Sequence, residues 1–335
     1  MLATLVDKLP RRSQKVVALD WDAQTLKAVE AVAGKAGLKI QRVISAHIPG
    51  DVKLAEPDSF GAFIRRVLHD KKFSAHQVLL AVPRDKAILI NHRLPQAPVG
   101  DLSSMVKLQA SRELPFSADE AVIDFAGSQA HDAPEFLDVT IGAIQREAMT
   151  FYQQLAHHAG LHLLRLGLRP NSNLVSVTRG QHPFSDDRIL FVDIGAQATE
   201  ISIFRWGRLT FSRAVGITID TKAGSDTAGR NVLMEVLRTV EAYRASDPNK
   251  LDQVIVAGDS GLEGWLAEAL RGRFNAPASI YDPTWTVAIE KDRAEQMTGF
   301  CAVLGLLVGQ TIPELGRFDF VTPKRPPDMA AIRRR

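Results

Sequence analysis

The sequence predicts an α/β protein of two lobes, with a small α+β module inserted into the first. Three observations point to that class. "KVVALDWDAQTLKAV" (15–29) and "ILFVDIGAQATEISIF" (189–204) each read as an apolar strand, an acidic turn and a second strand, and each opens one half of the 335 residues. "VIVAGDSGLEGW" (254–265) reads as strand, glycine turn and helix. A mostly apolar helix around "FCAVLGLLVG" (300–309) closes the pattern.

The elements follow in order. "KVVALDWD" is a short apolar run ended by two carboxylates, a buried strand. The alternating, β-branched "KIQRVI" favours a hairpin around residues 34–37 over a single helix. "SFGAFIRRVLHDKKF" places Phe60, Phe63, Ile64, Val67 and Leu68 on one helical face. "QVLLAVP" is a strand stopped by Pro83. The inserted module begins there: strand "AILINHRLP", a helix capped by Asp101 and ended before Pro115, a pair of strands in "AVIDFAGSQ" and "FLDVTIGAIQ", and a helix stopped by Gly160. "LHLLRLGLRPNSNLVSVTRG" reads as a linking segment. Three alternating strands run through "RLTFSRAVGI", followed by a helix ended by Pro248. The resulting division is 13–82 for the first part of the first lobe, 83–160 for the insert and 161–187 for the lobe's second part. The second lobe takes 188–320, its final helix returning to the first, and 321–335 is a basic tail.

Composition excludes several classes. Net charge of +3 is too small to mark a nucleic-acid binder. Cys301 is the single cysteine, so no intramolecular disulfide and no cysteine-based metal cluster can form; in its apolar run it reads as a buried, inert thiol. The most apolar run, residues 300–309, is far shorter than the roughly 20 residues that a membrane span requires. The N-terminal "MLATLVDKLPRR" has its arginines after the apolar residues, the wrong order for a signal peptide, so the expected compartment is the cytoplasm. His157, His158 and His162 have helical metal spacing, but Gly160 interrupts it and no carboxylate stands beside them; they read as a solvated cluster. Ser260 in "GDSGLEG" lacks nucleophile-elbow spacing. No catalytic residue is expected.

Two acidic turns facing a cleft, with a glycine turn beside them, form the layout of the actin/Hsp70/hexokinase ATPase fold. In that fold turn N–H groups cradle phosphate and aspartates hold hydrated magnesium. "HRLPQAPVGDLSSMVKLQASRELPFSADEAVIDF" (92–125) resembles the signature of the PilM family, the actin-like proteins of type IV pilus assembly. "EVLRTVEAYRASDP" (235–248) resembles that family's helix, and "RFDFVTPKRP" (317–326) its closing strand. The GspL cytoplasmic domain of type II secretion is similar in architecture. The resemblance covers about residues 15 to 325.

It implies a nucleotide site at Asp20, Lys27, Asp193, Gly195, Thr199, Gly258 and Gly261. It also implies a groove beside the insert that grips the cytoplasmic peptide of a bitopic, PilN-like inner-membrane partner. Arg84, Arg93 and Arg112, read as exposed, are the candidates there. Three departures mark the nucleotide site as degenerate. Asp22 stands where the family has glycine, adding a side chain and a charge that faces an anion. Asp259 replaces a second glycine in the adenosine turn. The stretch from Gly216 to Val232 is too short for the family's extra second-lobe subdomain. The expectation is a scaffold without cofactor, at the inner face of the inner membrane. The alternative is a working ATPase in which Asp20, Lys27, Asp193 and Thr199 contact magnesium and phosphate. A sugar kinase of the same superfold would need a catalytic aspartate that the sequence does not offer. The tail gathers Lys324, Arg325, Arg333, Arg334 and Arg335, expected to lie on anionic lipid, to precede a transmembrane helix, or to be a disordered tail that touches nothing.

Overall fold

The computed structural model describes residues 14–34, 37–180, 186–219 and 225–325. The first sheet joins β1 (Gln14–Trp21), β2 (Thr25–Gly34), β3 (Gly37–His47), β4 (Gln77–Val82) and β8 (His162–Leu168) in the order β3-β2-β1-β4-β8. The second joins β9 (Ile189–Ile194), β10 (Ala198–Arg205), β11 (Arg208–Gly216), β12 (Gln253–Gly258) and β13 (Ala278–Ile280) in the order β11-β10-β9-β12-β13. Each is an antiparallel meander of three strands extended by two parallel ones. The two halves therefore share one topology, as the paired acidic turns predict.

β1 reads as an unbroken apolar run because both of its faces are covered. Val17 and Leu19 pack with Phe60 and Ile64 of α1 (Pro57–Asp70) and Leu155 of α3 (Arg146–His158). Val16 and Ala18 pack on the other face with Val303 and Leu304 of α8 (Cys301–Val308). In the second lobe α5 (Ser225–Arg244) and α6 (Glu263–Phe274) cover one face of the sheet, and α4 (Arg169–Gly180) lies against the other. The short α7 (Lys291–Ala294) precedes α8. Burial pushes the Cys301 thiol well above the ordinary range, as an inert core cysteine requires.

The insert is a separate antiparallel sheet, β5-β7-β6, of β5 (Ile88–Pro95), β6 (Ala121–Gln129) and β7 (Phe136–Gln145). Its helix α2 (Val99–Glu113) packs Leu102, Val106 and Ala110 onto Phe125, Leu137 and Ile141. α3 packs with α1 on the first lobe instead, so the sheet-forming insert spans 88–145.

Several expectations need correction. Residues 161–180 are not a link: β8 completes the first sheet and α4 is a central helix. "LHLLRLGL" misleads because Arg165 breaks its apolar pattern, yet Arg165 is buried and donates to the Leu306 carbonyl at the end of α8. Asp101 is not the α2 cap; the helix starts at Val99 after Pro98, and Asp101 sits in the first turn, where its charge suits the helix dipole. "RFDF" forms no strand. It is an extended strap whose Phe318 and Phe320 enter the first-lobe core, with the Phe320 N–H donating to Leu166 O at 2.8 Å. Lys324 does not belong to a solvated tail. Its side chain is 1% exposed and pairs at 3.2 Å with Asp124 of β6, itself 0% exposed. Residues 326–335, with the expected arginine cluster, lie outside the described residues. No helix among the described residues is long and apolar enough to cross a membrane.

Candidate functional site

The β1–β2 and β9–β10 turns meet across a cleft between the lobes, and their own side chains fill it. Asp22 Oδ1 accepts from Gln24 N and Thr25 N, both at 2.8 Å, which shapes the first turn. Its Oδ2 reaches across to the second turn and accepts from Ala196 N at 3.2 Å. The neighbouring Gly195 N–H closes its own turn onto Ala198 O at 3.0 Å. The sequence predicts that Asp22 repels an anion. In the structure its carboxylate goes further and occupies an N–H group where an anion would be held.

Arg169, the first residue of α4, spans the same cleft. It donates to Asp20 Oδ1 at 2.7 Å, to Trp21 O at 3.0 Å and to Glu200 Oε1 at 3.4 Å. Burial opposes its charge, but Asp20, Glu200 and Asp193 outweigh it and push its pKa up. Asp193 has its carboxyl raised by burial and accepts from Asn173 at 3.3 Å. Thr199 is 0% exposed, its hydroxyl has no hydrogen-bond partner, and it does not line the cleft.

The glycine turn after β12 is capped in the same way. Gly258 (φ +142) lies so close to β9 that an added Cβ would stand 2.7 Å from Ile194 O, which dictates glycine there. Glu263 then folds back over the turn, accepting from Ser260 N and Ser260 Oγ at 2.7 Å and from Gly261 N at 2.9 Å. Ser260 is thereby a turn residue. Lys27 pairs with Asp259 at 3.2 Å across the lobes.

Asp20, Lys27, Asp193 and Gly195 line one cleft between the lobes; Gly258 backs onto its lining residue Gly299, while Gly261 and Thr199 are not part of its lining. Most polar groups around this cleft are already engaged by other groups of the chain. N–H groups of both acidic turns are bonded to Asp22, those of the glycine turn after β12 to Glu263, and Arg169 bridges Asp20 and Glu200. The remaining volume is about 230 Å3, below the roughly 300–1,000 Å3 of ordinary ligand pockets. Among the described residues no group of three or more His, Cys, Asp or Glu can hold a metal ion.

Burial also pushes Glu200 up, from 4.5 to about 7, against the pull of Arg169 and with Asp193 adding to the rise. A raised carboxyl pKa contributes stability that is complete below 4.5 and is lost as pH rises through about 7. Urea unfolding should therefore show stability falling between pH 5 and pH 8, by on the order of 3 kcal/mol, since a pKa difference of one between folded and unfolded chains is worth about 1.4 kcal/mol. Glu200→Gln should flatten that slope. An equal slope in both proteins would show that another group sets it.

A second cavity, of about 580 Å3, lies between the insert, α4, the β10–β11 turn and the C-terminal strap. Ala126, Leu174, Val175, Leu209, Ile312 and Leu315 give it apolar walls. Trp206 (φ +54) and Gly207 (φ +67) make the two-residue turn that forms one rim. His131 of the insert stacks on Trp206 with ring centroids 5.3 Å apart. Asp138 binds Arg93 at 2.8 Å and also pairs with Arg208, tying the insert to the second lobe. Burial, with Arg93 nearby, pushes Arg208 down to about 10.

The three arginines expected to meet a partner are not gathered at this groove. Arg84 is built into the lobe contact: its N–H donates to Glu200 at 2.8 Å and its side chain to Ser212 O at 3.0 Å. Arg93 is shared between Asp138 and Asp132. Arg112 is exposed on α2, on the other side of the insert sheet from the groove. Sequence reading misses Arg169, Glu200 and Glu263. The available signals are an arginine directly after the apolar "LLRLGL" and a lone glutamate inside the otherwise apolar "TEISIF".

A family model of the type IV pilus assembly protein PilM matches residues 18–217. The chain is also similar to a solved structure described as the PilM-PilN type IV pilus biogenesis complex. The match has 21% identity and a TM-score of 0.74, covering 91% of this chain and 100% of that one. It is further similar to the cytoplasmic domain of EpsL, an inner-membrane component of the type II secretion system of Vibrio cholerae. There identity is 10% and the TM-score 0.49, over 92% of this chain and 98% of that one. MreB5 of Spiroplasma citri bound to ADP matches at 12% identity and a TM-score of 0.45, over 89% of this chain and 96% of that one. With two lobes of one topology around an interlobe cleft, an insert in the first, and a family match over well over half its length, this chain belongs to the family of the type IV pilus assembly protein PilM.

Proposed function

We propose that this protein is an actin-like scaffold of a type IV pilus assembly platform. It grips the cytoplasmic peptide of a bitopic, PilN-like inner-membrane partner and is held by it at the cytoplasmic face of that membrane. The observation that carries this reading is the apolar groove of about 580 Å3 beside the insert. A short extended peptide can bury two or three apolar side chains there, each contributing about 1.5–3 kcal/mol. Family membership supports the choice of partner. The cleft works as a structural joint and not as an ATPase site, because Asp22, Arg169 and Glu263 occupy the groups that a nucleotide would use.

The test is fluorescence polarisation with a labelled peptide copied from the N-terminal cytoplasmic segment of the PilN of the same source. Leu315→Glu and Thr178→Arg place charges on half-buried groove positions. Each should weaken peptide binding by tenfold or more, and Arg112→Glu should change it less than twofold. Equal binding by wild type and both groove variants would remove the groove from this role.

A further inference from the structure

α4 belongs to both sites. Its residues 169 and 173, one turn apart, face the cleft, where they hold Asp20, Glu200 and Asp193. Its residues 171, 174, 175 and 178, at helical spacing, line the groove. The groove is moreover split between lobes. Ala126, Ser128, Asp138 and Thr140 come from the insert, while Gly207, Arg208 and Leu209 come from the second lobe. Asn91 donates to Thr210 O at 2.9 Å and Thr140 to Leu209 O at 3.3 Å, so the backbone of β11 just after that turn is also bonded to the insert. A groove with walls on two bodies exists only while the bodies stay together.

What keeps them together is a set of ionic and polar contacts that crosses the cleft. Asp22 reaches Ala196, Arg169 joins Asp20 to Glu200, the Arg84 N–H reaches Glu200, and Lys27 reaches Asp259. All join first-lobe elements to the β9–β10 turn, to β10 or to the turn after β12. They occupy the place that a phosphate and its cation would take, and they need no ligand.

Building on the peptide-groove reading above, we propose that Arg169 and its cross-cleft partners are positioning residues for peptide capture, holding the lobes closed so that both walls of the groove stand in register. None of them touches the peptide. Their loss lowers the fraction of molecules with an assembled groove, and apparent affinity falls in proportion to that fraction.

The experiment measures peptide binding and lobe separation in the same variants. Arg169→Lys keeps a charge but cannot serve Asp20, Trp21 O and Glu200 together. Asp259→Ala removes the Lys27 pair at its more exposed member, 38% against 9%. Spin labels at Lys53→Cys in the first lobe and Arg238→Cys in the second, both exposed, report the distance between lobes. In Arg169→Lys the labelled-peptide Kd should rise at least tenfold and the distance should lengthen and broaden; in Asp259→Ala both changes should be several-fold smaller. Adding saturating peptide should restore the wild-type distance. A wild-type Kd in both variants, or a raised Kd with an unchanged distance, overturns the proposal. If Leu315→Glu also left binding unchanged, the groove assignment itself would fail. Loss of binding in Leu315→Glu with full binding in Arg169→Lys would sink the coupling alone.

Discussion

Arg169→Met should destabilise the protein by about 3–5 kcal/mol, the cost of removing one member of a buried ion cluster. Arg169 is the cation that Asp20 and Glu200 share, and Asp193 lies within its field. Without it three largely buried carboxylates remain beside one another with no cation between them. Part of the loss returns when Asp193 and Glu200, whose carboxyls burial raises, take up protons, so the deficit should shrink as pH falls from 8 to 5. Urea denaturation at both ends of that range measures it. A loss under about 1 kcal/mol at pH 8, the value of an exposed pair, would mean that water already reaches these groups and that the cluster is not a joint.

The second large effect is expected at the other end of the chain. Lys324 gives its ammonium to both oxygens of Asp124, to Phe125 O at 2.7 Å and to Arg317 O at 2.9 Å. Asp124 also accepts from the backbone of Asp319 and Lys324, so one carboxylate fastens the whole strap to the insert. Burial pushes that carboxyl up, and Lys324 counters it. Lys324→Met should cost about 3–5 kcal/mol, because Asp124 is then buried without its partner. The double change Asp124→Leu with Lys324→Met should recover much of that loss, since a well-packed apolar pair can replace a buried ion pair. The strap also walls the groove through Ile312, Leu315 and Phe318, so the single variant should lose peptide binding together with stability. If the double variant were as unstable as the single one, the backbone bonds to Asp124 would carry the joint and the ion pair would not.

What is legible in the sequence follows from which signals are local. Strands covered on both faces, such as β1 and β12, announce themselves as apolar runs, and the turn glycines punctuate them, so the lobes and the insert are readable. β8 and α4 escape such a reading because their polar residues, Arg165, Arg169 and Asn173, find partners far along the chain: Leu306, Asp20 and Asp193. Lys324 misleads for the same reason; prolines and basic residues look like a tail until Asp124, 200 residues earlier, is placed beside them. Of the interlobe cleft, the acidic turns are legible and the contacts that join them are not. Asp22 visibly conflicts with phosphate, but only the structure places its second oxygen on Ala196. Arg84 and Arg93 look like exposed partner contacts because nothing nearby in the sequence reveals their internal acceptors, Ser212 O and Asp138.

Calorimetric titration of the full chain with ATP and magnesium asks most directly whether this cleft is held shut by its own side chains and takes no nucleotide. The expected result is no saturable heat up to millimolar ATP, and no rise in melting temperature at the same concentration. Ligand at ten times its Kd would add about 1.4 kcal/mol of stability, readily visible as a shift. Saturable binding with a Kd in the micromolar range would show the opposite, because the Asp22, Glu263 and Arg169 contacts would then have to open for the nucleotide to enter.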